Sequence, residues 1–100
     1  MNEETRRAYL SVINKWLMGE KKYGLESRSV IGEDKMPNGE LQFSFKTKID
    51  DPNSTNKVER TDCFRTNSYF GNLDANLEQL STFLDSLSYE AYEEMDELNN

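Results

Sequence analysis

The chain has 100 residues, 35% of them hydrophobic and 31% charged, with a formal net charge of -7. That size suits one domain with a single modest core, and no apolar run approaches the ~18 residues of a membrane span. There is no histidine and only one cysteine, Cys63, which excludes an internal disulfide, a cysteine-based metal cluster and any serine or cysteine nucleophile working through histidine.

In chain order, Asn2 is placed to cap a helix over residues 3 to 18, with Glu3 and Glu4 in its first turn, where the helix dipole favours anions. Ala8, Tyr9, Val12, Ile13, Trp16 and Leu17 recur at helical spacing, and Gly19 reads as the left-handed stop. Residues 24 to 31 read as a strand exposed on one side, with Leu25, Ser27, Ser29 and Ile31 alternating with Glu26, Arg28 and Val30. Asn38-Gly39 is a hairpin signal. The clearest pattern follows over Glu40–Ile49: apolar or β-branched residues fall at 41, 43, 45, 47 and 49, with polar ones between, so one face meets a core and the other meets water. Asp50 to Asn56 is turn chemistry, and a third strand runs over 57 to 66. Its alternation is imperfect, since Arg60 and Asp62 stand between Val58 and Phe64 on one parity, and an edge position or bulge is expected.

Tyr69-Phe70-Gly71 reads as the anchored end of a connection. Asn72 then caps a helix carrying Leu73, Leu77, Leu80, Leu84 and Leu87. Ser86 or Ser88 is expected to break the chain before a last helix with Tyr89, Tyr92, Met95 and Leu98 along one side. The expected fold is a single α+β domain over 1–100, in the order α-β-β-β-α-α. It is a three-stranded antiparallel meander with an N-terminal helix and two C-terminal helices packed on one face.

Little in the chain points to catalysis, and the expectation is a protein that is not an enzyme and uses no metal or other cofactor. The five glycines stand singly, so no phosphate-cradling loop is present. Glu33-Asp34 and Asp50-Asp51 are paired carboxylates, but as loop residues at opposite ends of the central strand they do not converge. The run Asp50 to Asn56 lacks the spacing of a calcium loop. Cys63 reads as a buried or half-buried strand residue. Lys46 and Lys48, with Arg28 and Arg60 alongside, are expected to make the outer sheet face mildly basic.

Charge distribution is the informative feature. Residues 1–65 carry 11 acidic and 12 basic side chains, whereas residues 66–100 carry 8 acidic and no basic ones. Surface helices ordinarily mix both signs, because opposite charges four residues apart stabilise them. Uncompensated repulsion of this kind points to a basic partner. The candidate partner-binding residues are Asp74, Glu78, Asp85, Glu90, Glu93, Glu94, Asp96 and Glu97, with Tyr89 and Tyr92 adding amphipathic contact area.

In element order, residues forming the α-β-β-β-α portion resemble the double-stranded-RNA-binding domain. That family grips phosphates with lysines at the start of its second helix. Here the matching stretch, Asn72 to Gln79, holds Asp74 and Glu78 and no cation, which argues against direct nucleic-acid binding. In size, acidity and element order the whole chain resembles small phage-encoded anti-CRISPR proteins and other nucleic-acid mimics. The resemblance implies a DNA-mimic inhibitor that engages a basic nucleic-acid-binding protein, such as a CRISPR or restriction nuclease, in the host cytoplasm. The polar N-terminus, without a signal peptide's apolar segment, carries the same cytoplasmic expectation. The alternative is an immunity-protein or secretion-chaperone-like module that binds through its sheet face, as a monomer or homodimer.

Overall fold

A computed structural model describes residues 1–21, 25–69 and 71–100. Helix α1 spans Glu3–Met18, strands β1, β2 and β3 span Leu25–Lys35, Leu41–Asp50 and Lys57–Arg65, and helix α2 spans Leu73–Asn99. The predicted meander is present, with β2 between β1 and β3 and antiparallel to both. One C-terminal helix stands where two were expected. Ser86 donates its hydroxyl to the Phe83 carbonyl at 2.6 Å, and Ser88 turns inward to donate to Glu26 Oε2 at 3.1 Å. Neither hydroxyl competes for the helix's own N–H groups. Beyond them Ala91 and Met95 bury against Ile49 and Val58 in a second apolar cluster, so packing carries the helix onward.

Asn2 caps α1 as predicted, accepting from the Thr5 N–H at 2.8 Å. Gly19 follows the helix, but its φ is -70° and not left-handed. A Cβ there would stand 3.1 Å from the Lys15 carbonyl and 3.4 Å from Arg28 Nη1, so close approach accounts for the glycine.

Strand β1 runs four residues further than the sequence suggested, to Lys35. Gly24, its expected first residue, and Phe70, expected to anchor the connection into α2, lie outside the described residues. The extension is possible because the register shifts at Ile31: Val30 pairs with Phe45 and Gly32 with Ser44. Glu33 and Asp34 are therefore strand residues, not loop. The hairpin closes through a Met36 N–H to Glu40 carbonyl bond of 2.7 Å, with Gly39 at φ +89°.

Residues directly opposed across an antiparallel ladder share a face. On the helix side, Phe43, Phe45, Thr47 and Ile49 of β2 stand opposite Phe64, Asp62, Arg60 and Val58 of β3. Val30, Arg28 and Glu26 of β1 complete that face. Arg28 and Arg60 thus lie beneath the helices and not beside Lys46 and Lys48. Cys63 falls on the outer face, where it is exposed beside Ser44 Oγ at 3.4 Å; no helix buries that side of the strand.

The main core joins Tyr9, Ile13 and Trp16 of α1, Leu41, Phe43 and Phe45 of β2, and Leu80, Leu84 and Leu87 of α2. With the second cluster at the far end of α2, the apolar contacts form a long seam. The molecule measures 46 × 24 × 19 Å with a radius of gyration of 15.0 Å, against about 13 Å for a compact chain of this length.

Glu40 is buried where β2 begins. Its carboxylate accepts from the Thr66 hydroxyl at 2.5 Å and the Ser68 N–H at 3.0 Å, while Thr66 Oγ1 accepts from the Leu41 N–H at 2.9 Å. Burial pushes the Glu40 carboxyl up, but the bonds from Thr66 and Ser68 outweigh it and hold it below the ordinary range. Hydrogen bonds from Arg6 and Lys46 move Glu33 and Glu59 the same way. A depressed carboxyl stabilises the fold above its unfolded pKa and loses that contribution as pH falls through the folded one. Urea unfolding midpoints are therefore expected to drop as pH falls below ~4.3. Glu40→Gln, less stable than wild type at neutral pH by about 1–3 kcal/mol, is expected to show a shallower drop. Parallel pH curves for the two proteins would contradict this.

Candidate partner-binding surface

All ten predicted partner-binding residues are exposed on α2. The single helix aligns them differently from two broken ones. Asp74, Glu78, Asp85, Tyr89, Tyr92 and Asp96 recur at steps of three, four and seven, a line on the side opposite the buried Leu80, Leu84, Leu87, Ala91 and Met95. Tyr89 and Tyr92 are 50% and 42% exposed. Helical spacing puts Glu93 and Glu97 beside that line, and Glu90 and Glu94 further round, toward β3.

The β3 flank is not free. Arg60 Nη2 lies 3.0 Å from Glu90 Oε2, and its Nη1 lies 3.3 Å from Glu94 Oε2, with Asp62 Oδ1 at 3.7 Å. One guanidinium thus ties two of the predicted contact residues to the sheet. Sequence reasoning missed this clamp, although the signal was present: Arg60 shares the parity of Val58 and Phe64, which marks it as helix-facing.

Among the described residues, none of Asp74, Glu78, Asp85, Glu93, Asp96 and Glu97 takes part in an ion pair. Asp74 has a local compensation, since it lies in the first turn of α2, where the helix dipole is favourable to an anion. The opposite holds at the other end. Glu93, Glu94, Asp96 and Glu97 crowd the C-terminal end of a helix whose last turn holds no basic residue, against the direction of the dipole. Among the described residues, only Arg60 is ion-paired with any of that charge. The arrangement is a solvated carboxylate surface that runs the length of a 27-residue helix, about 40 Å at 1.5 Å per residue. It can attract and orient cationic groups.

The sheet's outer face is a second exposed surface. It carries Lys46, paired with Glu59 at 2.6 Å, together with Lys48, Lys57, Cys63 and Arg65, and Leu25 at its edge is 58% exposed. Among the described residues there is no group of three or more side chains that suits a metal ion, and no helix is long and apolar enough to cross a membrane. The chain matches no protein-family model, no curated protein and no solved structure at a significant level.

Proposed function

We propose that the protein is a non-enzymatic inhibitor that binds a basic, nucleic-acid-binding partner through the acidic surface of α2. A phage-encoded DNA mimic acting on a CRISPR or restriction nuclease is the concrete form of this reading. Its main support is the uncompensated charge at the C-terminal end of α2. Four carboxylates are gathered where the helix dipole opposes them, and among the described residues Glu94 alone of the four is ion-paired, to Arg60. Continuity of the helix adds to it, because carboxylates repeated at one to three helical turns along one helix suit a channel built for a phosphate backbone. Association would be steered by charge and weakened by salt.

The arrangement at Arg60 decides which residues to test. Glu90 and Glu94 serve the fold as well as the surface, so the cleaner variant changes Asp85→Asn, Glu93→Gln, Asp96→Asn and Glu97→Gln. Wild type immobilised as bait is expected to retain a nucleic-acid-binding protein from bacterial lysate at low salt and to release it when duplex DNA is added. The fourfold variant is expected to stay folded and lose at least about tenfold in affinity for that protein. Equal retention by both baits, or retention that duplex DNA does not disturb, would sink the mimicry reading.

The second reading, an immunity-protein or secretion-chaperone-like module binding through the sheet, is favoured by the uncovered outer face and its exposed Leu25. It calls for binding that is insensitive to salt and lost on changing outer-face residues. Phe64 is no probe of that face, because it packs on the helix side with its ring 5.4 Å from Phe83.

A further inference from the structure

A cleft of about 510 Å³ opens between the C-terminal half of α1, the middle of α2 and β1, within the range of small-molecule sites. Trp16 and Leu84 give it an apolar wall, Arg28 and Ser88 line it, and Lys15 brings a positive charge to it and Glu20 and Asp85 negative ones. Lys15 and Asp85 line the same space yet form no ion pair with each other.

Buried hydrogen-bonding groups without partners lie in and behind this wall. Trp16 is 6% exposed, and its indole Nε1 is buried with no partner among the described residues. Glu26 has a fully buried side chain and contacts two lining residues, accepting at Oε2 from Arg28 Nε and from Ser88 Oγ. Its Oε1 has no partner. One orphan donor and one orphan acceptor each carry the desolvation cost of a lost hydrogen bond.

We propose that this cleft binds a small zwitterion of amino-acid or dipeptide type. Glu26 already offsets the charge of Arg28, which leaves one cation, Lys15, and two anions, Glu20 and Asp85, outside any ion pair among the described lining residues. A ligand that is only cationic meets Lys15, and one that is only anionic meets Asp85 and Glu20. A molecule carrying both an ammonium and a carboxylate offers a counter-charge to each sign. Its carboxylate accepts at the Lys15 end, its ammonium donates at the Asp85 end, and an apolar side chain lies against Trp16 and Leu84. The cleft shares Asp85 with the partner-binding surface, but Lys15 lies on α1, away from α2's acidic row, so Lys15→Gln tests the cleft alone.

Trp16 is the only tryptophan, so its indole N–H gives a single, readily assigned resonance in a nitrogen-15 proton-correlation spectrum. The test titrates the labelled protein with each free amino acid and with dialanine, at millimolar concentration. At least one probe is expected to move that resonance saturably. Its N-acetylated and carboxamide derivatives are expected not to. Lys15→Gln and Asp85→Asn, both at exposed positions, are expected to weaken binding about tenfold each while the rest of the spectrum stays unchanged. If no probe moves the indole, the cleft holds only water and the proposal fails. Equal binding of a blocked derivative, or full affinity in Lys15→Gln, would overturn it as well.

Discussion

Replacing Phe45 with alanine is expected to remove about 3–5 kcal/mol of stability, the largest single loss that any apolar substitution in this chain should produce. Phe45 is fully buried at the centre of the middle strand. Its ring meets Trp16 edge-on at 5.5 Å, Phe43 at 6.4 Å and Phe83 at 6.2 Å, so it joins both helices to the sheet. Truncation removes aromatic contacts to three elements at once, and large neighbouring rings relax poorly into the cavity left behind. Domains of this size hold roughly 5–15 kcal/mol in total, so Phe45→Ala is expected to be marginally folded or unfolded. Urea denaturation followed by far-ultraviolet circular dichroism reads this directly. A loss below about 1 kcal/mol would mean that the core is not centred on this ring.

Arg28→Ala is expected to cost about as much, roughly 3–5 kcal/mol, for a different reason. The Arg28 and Glu26 side chains are 8% and 0% exposed. Besides pairing with Glu26, the guanidinium donates to the Trp16 carbonyl at 2.6 Å and to the Glu20 carbonyl at 3.4 Å, and it lies 5.3 Å from the Trp16 ring centroid. It therefore closes the end of α1 as well as neutralising a buried carboxylate. Removing the cation alone leaves Glu26 charged and without a counter-ion in the interior. The double variant Glu26→Leu/Arg28→Met, which removes both charges and keeps apolar volume, is expected to recover most of the loss. Arg28→Lys is expected to fail, since a single ammonium cannot reproduce the forked contacts. Denaturation midpoints of the single and double variants measure the effect. A double variant as unstable as Arg28→Ala would assign the cost to the lost helix-end contacts instead of the stranded charge.

What the sequence disclosed depended on how local the determinants are. Helix α1 was legible to the residue, because its cap, first-turn acids and apolar stripe all lie within it. Strand β2 was legible because both its neighbours and its cover read the same alternation. Strand β1 was cut short at Ile31, since Gly32-Glu33-Asp34 is turn chemistry by composition. Only the register shift that pairs Gly32 with Ser44 keeps those residues in the ladder. Arg28 of the same strand was expected on the outer face beside Lys46 and Lys48, yet Glu26 and Arg28 form the buried network and Leu25 is exposed. Polar residues hide a buried face from any reading based on hydrophobic periodicity. The break expected at Ser86 or Ser88 failed for a related reason, because a serine's effect on a helix depends on where its hydroxyl finds a partner. The acidic row on α2 was legible as charge. Its division by Arg60 was not, because that contact joins residues 30 and 34 positions apart.

The long, narrow form of the molecule has a consequence for any claim about assembly. A radius of gyration of 15.0 Å and a long axis roughly twice either short one imply greater hydrodynamic drag than a sphere of the same 11.7 kDa would experience. On a gel-filtration column calibrated with compact standards, a single copy should emerge early, with an apparent mass inflated toward that of a pair. Repulsion between its acidic surfaces at low ionic strength would enlarge the effect. Stoichiometry, free or bound to a partner, should therefore be taken from light scattering or equilibrium sedimentation, which weigh the particle regardless of its outline.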